Sequence, residues 1–135
     1  MIGDTDASPT VLLIEDEESV RNVIRRTLEL GGIRVLSAAD GTEAIALARA
    51  LAPGESVDVI ISDVILPAPP LGEVLERLRE FIDSPSLILM SGYPREQIAA
   101  RMPDWPNEYL QKPFPITLLR DKVKEAAAEH RRATR

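Results

Sequence analysis

The sequence contains no cysteine, which removes disulfides, thiolate metal sites and thiol nucleophiles from consideration. It contains one histidine, His130, placed near a charged C-terminus, where a solvated helix residue is expected rather than a ligand or a base. A basic excess is missing too. The 16 Lys and Arg stand against 22 Asp and Glu, for a formal net charge of −6. Direct nucleic-acid binding, which needs a basic face toward phosphate, is therefore not expected. No apolar run approaches the ~18 residues of a membrane span, and the N-terminus lacks a signal-peptide pattern. No membrane association and a cytoplasmic location are the expectation. Neither common glycine-rich phosphate loop occurs, and no internal repeat, linker or low-complexity block is visible.

What is present is ordinary in amount and informative in arrangement. With 135 residues, 44% hydrophobic and 28% charged, the chain is one domain long enough for a real core. Residues 1–9 are small and polar and are expected to fray, 10–130 form the domain, and 131–135 form a tail. The organising stretch is Val57-Asp58-Val59-Ile60-Ile61-Ser62-Asp63-Val64-Ile65-Leu66-Pro67. Five of its residues (57, 59, 60, 61 and 64) are β-branched and apolar, the pattern of a strand buried on both faces of a parallel sheet. Asp63 falls where that strand runs out, four residues before a proline that cannot extend it.

Thr10–Ile14, Ile33–Ser37, Leu87–Met90 and Glu108–Gln111 read as four further short strands. A helix after Glu15-Asp16-Glu17-Glu18 presents Val20, Val23, Ile24, Thr27 and Leu28 on one face and stops at Gly31-Gly32. Asp40-Gly41-Thr42-Glu43 is a capping box opening a second helix. Val74, Leu75, Leu78 and Ile82 belong to a third. Pro94 can open a fourth, which Pro103 and Pro106 close within about three turns. Ile116, Leu119, Val123 and Ala127 line a last one. Five strands alternating with five helices imply an α/β fold: a doubly wound parallel sheet with helices on both faces.

In such a sheet the carboxyl ends of the strands share one edge, where ligands collect. Glu15 and Asp16, Asp63, Ser91 and Lys112 all fall at those ends. Each has a plainer reading alone: an acidic helix start for Glu15–Glu18, a helix cap for Ser91, a surface charge for Lys112. Together they form a site. Crowded carboxylates repel unless a cation intervenes, and Mg²⁺, which binds through carboxylates, waters and phosphate oxygens, resolves the conflict. With charge neutralised by Mg²⁺ and Lys112, Asp63 is placed to act as an in-line nucleophile toward a phosphoryl group and form an acyl phosphate. Ser91 and Lys112 would then hold phosphoryl oxygens.

Five segments carry a family resemblance: Val11-Leu12-Leu13-Ile14-Glu15-Asp16-Glu17, Ala39-Asp40-Gly41-Thr42-Glu43-Ala44, Ile60-Ile61-Ser62-Asp63-Val64-Ile65-Leu66-Pro67, Leu89-Met90-Ser91-Gly92-Tyr93 and Tyr109-Leu110-Gln111-Lys112-Pro113-Phe114. The chain resembles the receiver domain of two-component response regulators over roughly residues 10 to 128, and most of all the receivers of hybrid sensor histidine kinases. The resemblance implies a five-stranded flavodoxin-like fold with strand order 2-1-3-4-5. It implies that Asp63 is the phosphoacceptor, that Asp16 binds Mg²⁺ directly and Glu15 through water, and that the backbone carbonyl of Ile65 completes the protein ligands. Ser91 and Lys112 correspond to the phosphoryl contacts, and Ser91 and Tyr109 to the switch pair. The Lys112-Pro113 peptide is expected to be cis.

The implied partners are a sensor histidine kinase or a histidine phosphotransfer protein, an unspecified downstream effector, and a second copy docking through the face of the fourth helix, fifth strand and fifth helix. The implied activity is limited to the domain's own phosphorylation and dephosphorylation. The sequence departs from the family pattern at three places. Pro67-Ala68-Pro69-Pro70-Leu71-Gly72 stiffens the loop after Asp63. Met102-Pro103-Asp104-Trp105-Pro106-Asn107 replaces the small-residue stretch between Ser91 and Lys112. Glu15 stands where many relatives carry aspartate. Two other functions fit parts of the pattern. A haloacid-dehalogenase-like phosphatase also uses a strand-end aspartate with Mg²⁺, but needs a second carboxylate two residues on, where this chain has Ile65. An unphosphorylated docking module would not need all five site residues.

Overall fold

In the computed structural model, which describes residues 8–133, all five predicted strands form: β1 (Thr10–Ile14), β2 (Arg34–Ala38), β3 (Val59–Asp63), β4 (Ser86–Ser91) and β5 (Glu108–Gln111). They lie parallel in one sheet of order β2-β1-β3-β4-β5. The helices are α1 (Glu18–Leu30), α2 (Gly41–Arg49), α3 (Leu71–Leu78) and α4 (Ile116–Ala133). β1 and β3 are buried at every position, as central strands covered on both faces must be. The edge strands β2 and β5 are partly exposed. Because successive side chains point to opposite faces, alternate strand residues supply two cores. Leu12, Ile14, Ile60 and Leu89 pack with Ala44, Ala48, Val74, Leu75 and Leu78 of α2 and α3. Val11, Leu13, Ile61, Ile88 and Met90 pack with Ile24, Leu28, Leu119, Val123 and Ala127 of α1 and α4. This is the doubly wound, flavodoxin-like arrangement expected.

Local signals set the element ends. Asp40 Oδ1 accepts from the Glu43 N–H at 2.9 Å. Glu43 reaches back to the Ala39 N–H, also at 2.9 Å, one residue beyond the usual partner of a capping box. Gly32 follows α1 with φ of 83°, a conformation that costs glycine little. Gly41 is needed for a different reason. A Cβ there would lie 2.2 Å from Val74 Cγ2, so its absence lets α2 approach α3. An alanine in a helix ordinarily gains up to ~1 kcal/mol over glycine. Here Gly41→Ala is expected to destabilise by about 1–3 kcal/mol through overpacking, read as a lower urea midpoint. An unchanged or raised midpoint would show that Val74 gives way freely.

Three expectations need revision. The apolar stripe of α1 is narrower than its spacing suggested: Ile24 and Leu28 are buried, whereas Val23 is 56% exposed. The predicted helix after Pro94 is replaced by two short 3₁₀ turns, Arg95–Gln97 and Ala99–Arg101. The proline-interrupted segment buries Ile98 fully and only parts of Met102 and Trp105 against the core, too little apolar surface to stabilise a full helix. The chain therefore has four α-helices among the described residues. Of the segments expected to fray or trail, residues 1–7 and 134–135 lie outside the described residues, while α4 continues to Ala133.

The third revision concerns His130, which is buried rather than solvated. Its Nδ1 lies 3.1 Å from Asp58 Oδ1 and its Nε2 3.1 Å from the Asp83 carbonyl oxygen. Asp58, just ahead of β3 and 3% exposed, also accepts from the Thr10 N–H at 2.9 Å and from Arg131 Nε and Nη2, each at 3.2 Å. Burial raises the pKa of Asp58, but Arg131, the Thr10 N–H and His130 outweigh it and hold the carboxyl below its ordinary value. This network ties α4 to the amino ends of β1 and β3.

Candidate functional site

The parallel register brings the strand ends to one edge. Asp63 is the last residue of β3 and Ser91 the last of β4, opposite Gln111. Glu15 and Asp16 follow β1, and Lys112 follows β5. The Lys112 N–H donates to the Ser91 carbonyl at 2.8 Å, and the Glu15 N–H to the Ala38 carbonyl at 3.0 Å. Both connections are thus pinned by backbone bonds that continue the sheet.

The side chains converge as well. Lys112 Nζ donates to Glu15 Oε1 at 2.7 Å and pairs with Asp63 Oδ1 at 2.8 Å. One carboxylate oxygen from each of Glu15, Asp16 and Asp63 lies within 4.8 Å of the others. Glu15 and Asp63 are buried, while Asp16 is exposed. Three hard oxygen donors at this separation, one of them open to solvent, suit a small divalent cation such as Mg²⁺. Ser91 is buried, and its Oγ accepts from the Tyr93 N–H at 3.2 Å. Tyr109, part-buried on β5, donates its hydroxyl to the Tyr93 carbonyl. Ile65 stands two residues past Asp63 with its side chain 40% exposed. The Lys112-Pro113 peptide is cis, and so is Ala68-Pro69 in the proline-rich loop.

Arg21, on α1, is a site neighbour that the helical spacing does not single out. Its Nη1 donates to the Glu15 carbonyl at 2.9 Å and braces the acidic turn, while the Glu17 N–H donates to Glu15 Oε2 at 3.1 Å. The six-residue separation of Arg21 from Glu15 spans a strand-to-helix turn, so periodicity gave no signal for this contact.

Burial pushes the pKa of Asp63 up, and the adjacent Glu15 carboxylate adds to it. The pull of Lys112 is not enough to compensate, and Asp63 sits at about 7. Burial acts on Glu15 in the same direction, but hydrogen bonds with Asp63, Lys112 and the Glu17 N–H prevail and hold it below the usual carboxylate range. For Lys112, burial favours the neutral amine, yet its bonds to Asp63 and Glu15 raise its pKa above that of a free lysine. Of the two buried acids, Asp63 is therefore the one that takes up a proton.

The linkage has a definite sign. Asp63 has a folded-state pKa above its unfolded value, so its cost to stability is absent below about pH 4, grows up to about pH 7 and is complete above that. A shift of about three units sets an upper bound of ~4 kcal/mol, a figure already net of the pairing with Lys112. In metal-free buffer, Asp63→Asn is expected to stabilise the domain by roughly 2 kcal/mol near pH 8 and by almost nothing near pH 4. Urea unfolding at the two pH values checks this, and a less stable variant at the higher pH would contradict it.

Comparison with known proteins comes from three directions. The sequence pattern of the response regulator receiver domain matches residues 11–124. The sensor kinase CckA of Brucella abortus (strain 2308) is 37% identical over 123 residues, covering 90% of this chain and 13% of that protein. The C4-dicarboxylate transport transcriptional regulatory protein DctD of Pseudomonas aeruginosa is 33% identical over 125 residues, covering 90% of this chain and 26% of that protein. This chain thus spans a minor part of both relatives. Among solved structures, the receiver domain from the hybrid histidine kinase CckA superposes with a TM-score of 0.72 at 33% identity, covering 87% of this chain and 98% of that one.

Proposed function

This chain belongs to the response regulator receiver family, and from that membership we propose that Asp63 takes a phosphoryl group from a partner's phosphohistidine. The domain is a phosphoacceptor signalling module. A phosphatase of the haloacid-dehalogenase type is not favoured, because the position of its general acid–base carboxylate is occupied by Ile65.

The observation that carries the proposal is the convergence of Glu15, Asp16, Asp63 and Lys112 at one sheet edge. An Asp63 oxygen attacks phosphorus, the P–N bond to the partner's imidazole breaks, and the departing imidazole leaves with the bonding pair and takes up a proton. Mg²⁺ held by the carboxylates of Asp16 and Asp63, by Glu15 through water and by the Ile65 carbonyl would neutralise charge on the phosphoryl oxygens and keep Asp63 ionised. Lys112 is placed to hold a phosphoryl oxygen while remaining paired with Glu15. The Ser91 hydroxyl is free to donate to another, since its oxygen only accepts from the Tyr93 N–H. For Tyr109 to turn inward as Ser91 moves, it must release the Tyr93 carbonyl.

The partner is a histidine kinase or a histidine phosphotransfer protein, with a further protein reading the phosphorylated face. That face is formed by the 3₁₀ turns, β5 and α4, and sedimentation of the phosphorylated domain tests whether a second copy docks on it. No helix among the described residues is long and apolar enough to cross a membrane, in keeping with a cytoplasmic module. Incubation with acetyl phosphate is expected to add one phosphoryl group when Mg²⁺ is present and none when it is chelated. Rapid, sustained hydrolysis of a generic phosphomonoester would instead favour the phosphatase.

A further inference from the structure

The segment Met102–Asn107, where this chain departs from the receiver pattern, builds one wall of a groove at the opposite edge of the sheet from Asp63. The groove has a volume of about 1020 Å³ and runs between the chain leaving α3, the approach to β5 and the outer side of α4 at Ala126 and Glu129. Its floor is apolar, with Phe81, Ile82, Leu87 and the single tryptophan, Trp105. Its rim is acidic. Two rim carboxylates have cations nearby: Glu80 lies 3.2 Å from Arg77, and Glu108 lies 3.6 Å from Lys122. Asp83, Asp104 and Glu129 have no ion pair among the described residues and are exposed. Arg79, the cation of the lining, is turned onto the Trp105 ring, 4.6 Å from its centroid.

One further feature of this wall is an unsatisfied acceptor. Asn107 Oδ1 is buried without a hydrogen-bond partner among the described residues, an unfavourable state for a polar atom.

We propose that this groove docks a short cationic segment of a protein partner, with two or three Lys or Arg around an apolar anchor. Charge complementarity selects the occupant. An acidic or neutral segment would add its own charge to, or leave uncompensated, three carboxylates around an aromatic floor. A basic one places its cations on the rim and its apolar side chain against Trp105. The surface is independent of Asp63, so the domain can bind through it in either phosphorylation state.

The probe is the synthetic peptide acetyl-Arg-Leu-Arg-Arg-Leu-Arg-amide, with the same peptide carrying Glu for Arg as control. Trp105 is itself the reporter. The arginine peptide is expected to shift Trp105 emission saturably and the glutamate peptide to leave it unchanged. The double variant Asp104→Lys/Glu129→Lys, both exposed positions that the fold does not depend on, is expected to weaken binding by about tenfold or more. A matched variant with the same charge change elsewhere, Glu73→Lys/Asp121→Lys, is expected to change it by less than about twofold. Equal weakening in both variants, equal binding of the two peptides, or binding without a Trp105 response would overturn the proposal.

Discussion

Lys112→Met is expected to slow phosphorylation of Asp63 by acetyl phosphate about 100-fold or more, the usual size of removing one preorganised electrostatic contact from a transition state. Two effects act in the same direction. Lys112 is the cation that opposes the upward push of burial and Glu15 on Asp63, so its loss leaves less of the nucleophilic carboxylate at neutral pH. It is also the side chain placed to hold a phosphoryl oxygen as negative charge gathers there. Arginine is not expected to rescue the rate. Lys112 Nζ serves Glu15 and Asp63 at 2.7 and 2.8 Å as a single point donor, and a planar guanidinium does not reproduce that geometry. The initial rate of phosphoprotein formation checks this, with circular dichroism as a control for folding. A loss below about threefold would remove Lys112 from the transfer step.

Asp58→Ala is expected to cost about 3–5 kcal/mol, the range for removing one partner of a buried ion pair. The variant would remove the buried acceptor that the Thr10 N–H, His130 Nδ1 and the Arg131 guanidinium share. Phosphorylation should persist wherever the domain remains folded, because this cluster lies at the other end of the strands from Asp63. Asp58→Asn separates charge from shape: it keeps acceptors for some of these donors and should fall between Ala and the parent. The pH dependence follows from a depressed carboxylate. The stability that Asp58 contributes is present above about pH 4 and is lost as pH falls through its lower folded-state value. Urea unfolding of the three proteins near neutral pH tests the ranking, and an Ala variant within about 1 kcal/mol of the parent would contradict it.

Asp58 and His130 also mark where sequence reading stops. The strands were legible because β-branched runs bounded by charge and proline can bury both faces only in a parallel sheet. Once the sheet was fixed, its topology brought Glu15, Asp16, Asp63, Ser91 and Lys112 to one edge. Nothing in the spacing of Asp58 and His130, 72 positions apart, announces that they meet, and a histidine among glutamates and arginines reads as solvated. The loss of a fourth full helix between β4 and β5 was only half legible. Pro103 and Pro106 limited its length, but that Ile98 alone would be fully buried depends on packing. Arg21 was hidden for a related reason, since its contact is to a backbone carbonyl across a turn.

The most direct test of the account is the location of the phosphoryl group. After phosphorylation in the presence of Mg²⁺, borohydride reduction converts an aspartyl phosphate to homoserine, which peptide mass mapping can place. Homoserine is expected at position 63 and is expected to be absent in Asp63→Asn. Homoserine at Asp16 or Asp58, or phosphorylation of undiminished extent in the variant, would contradict it.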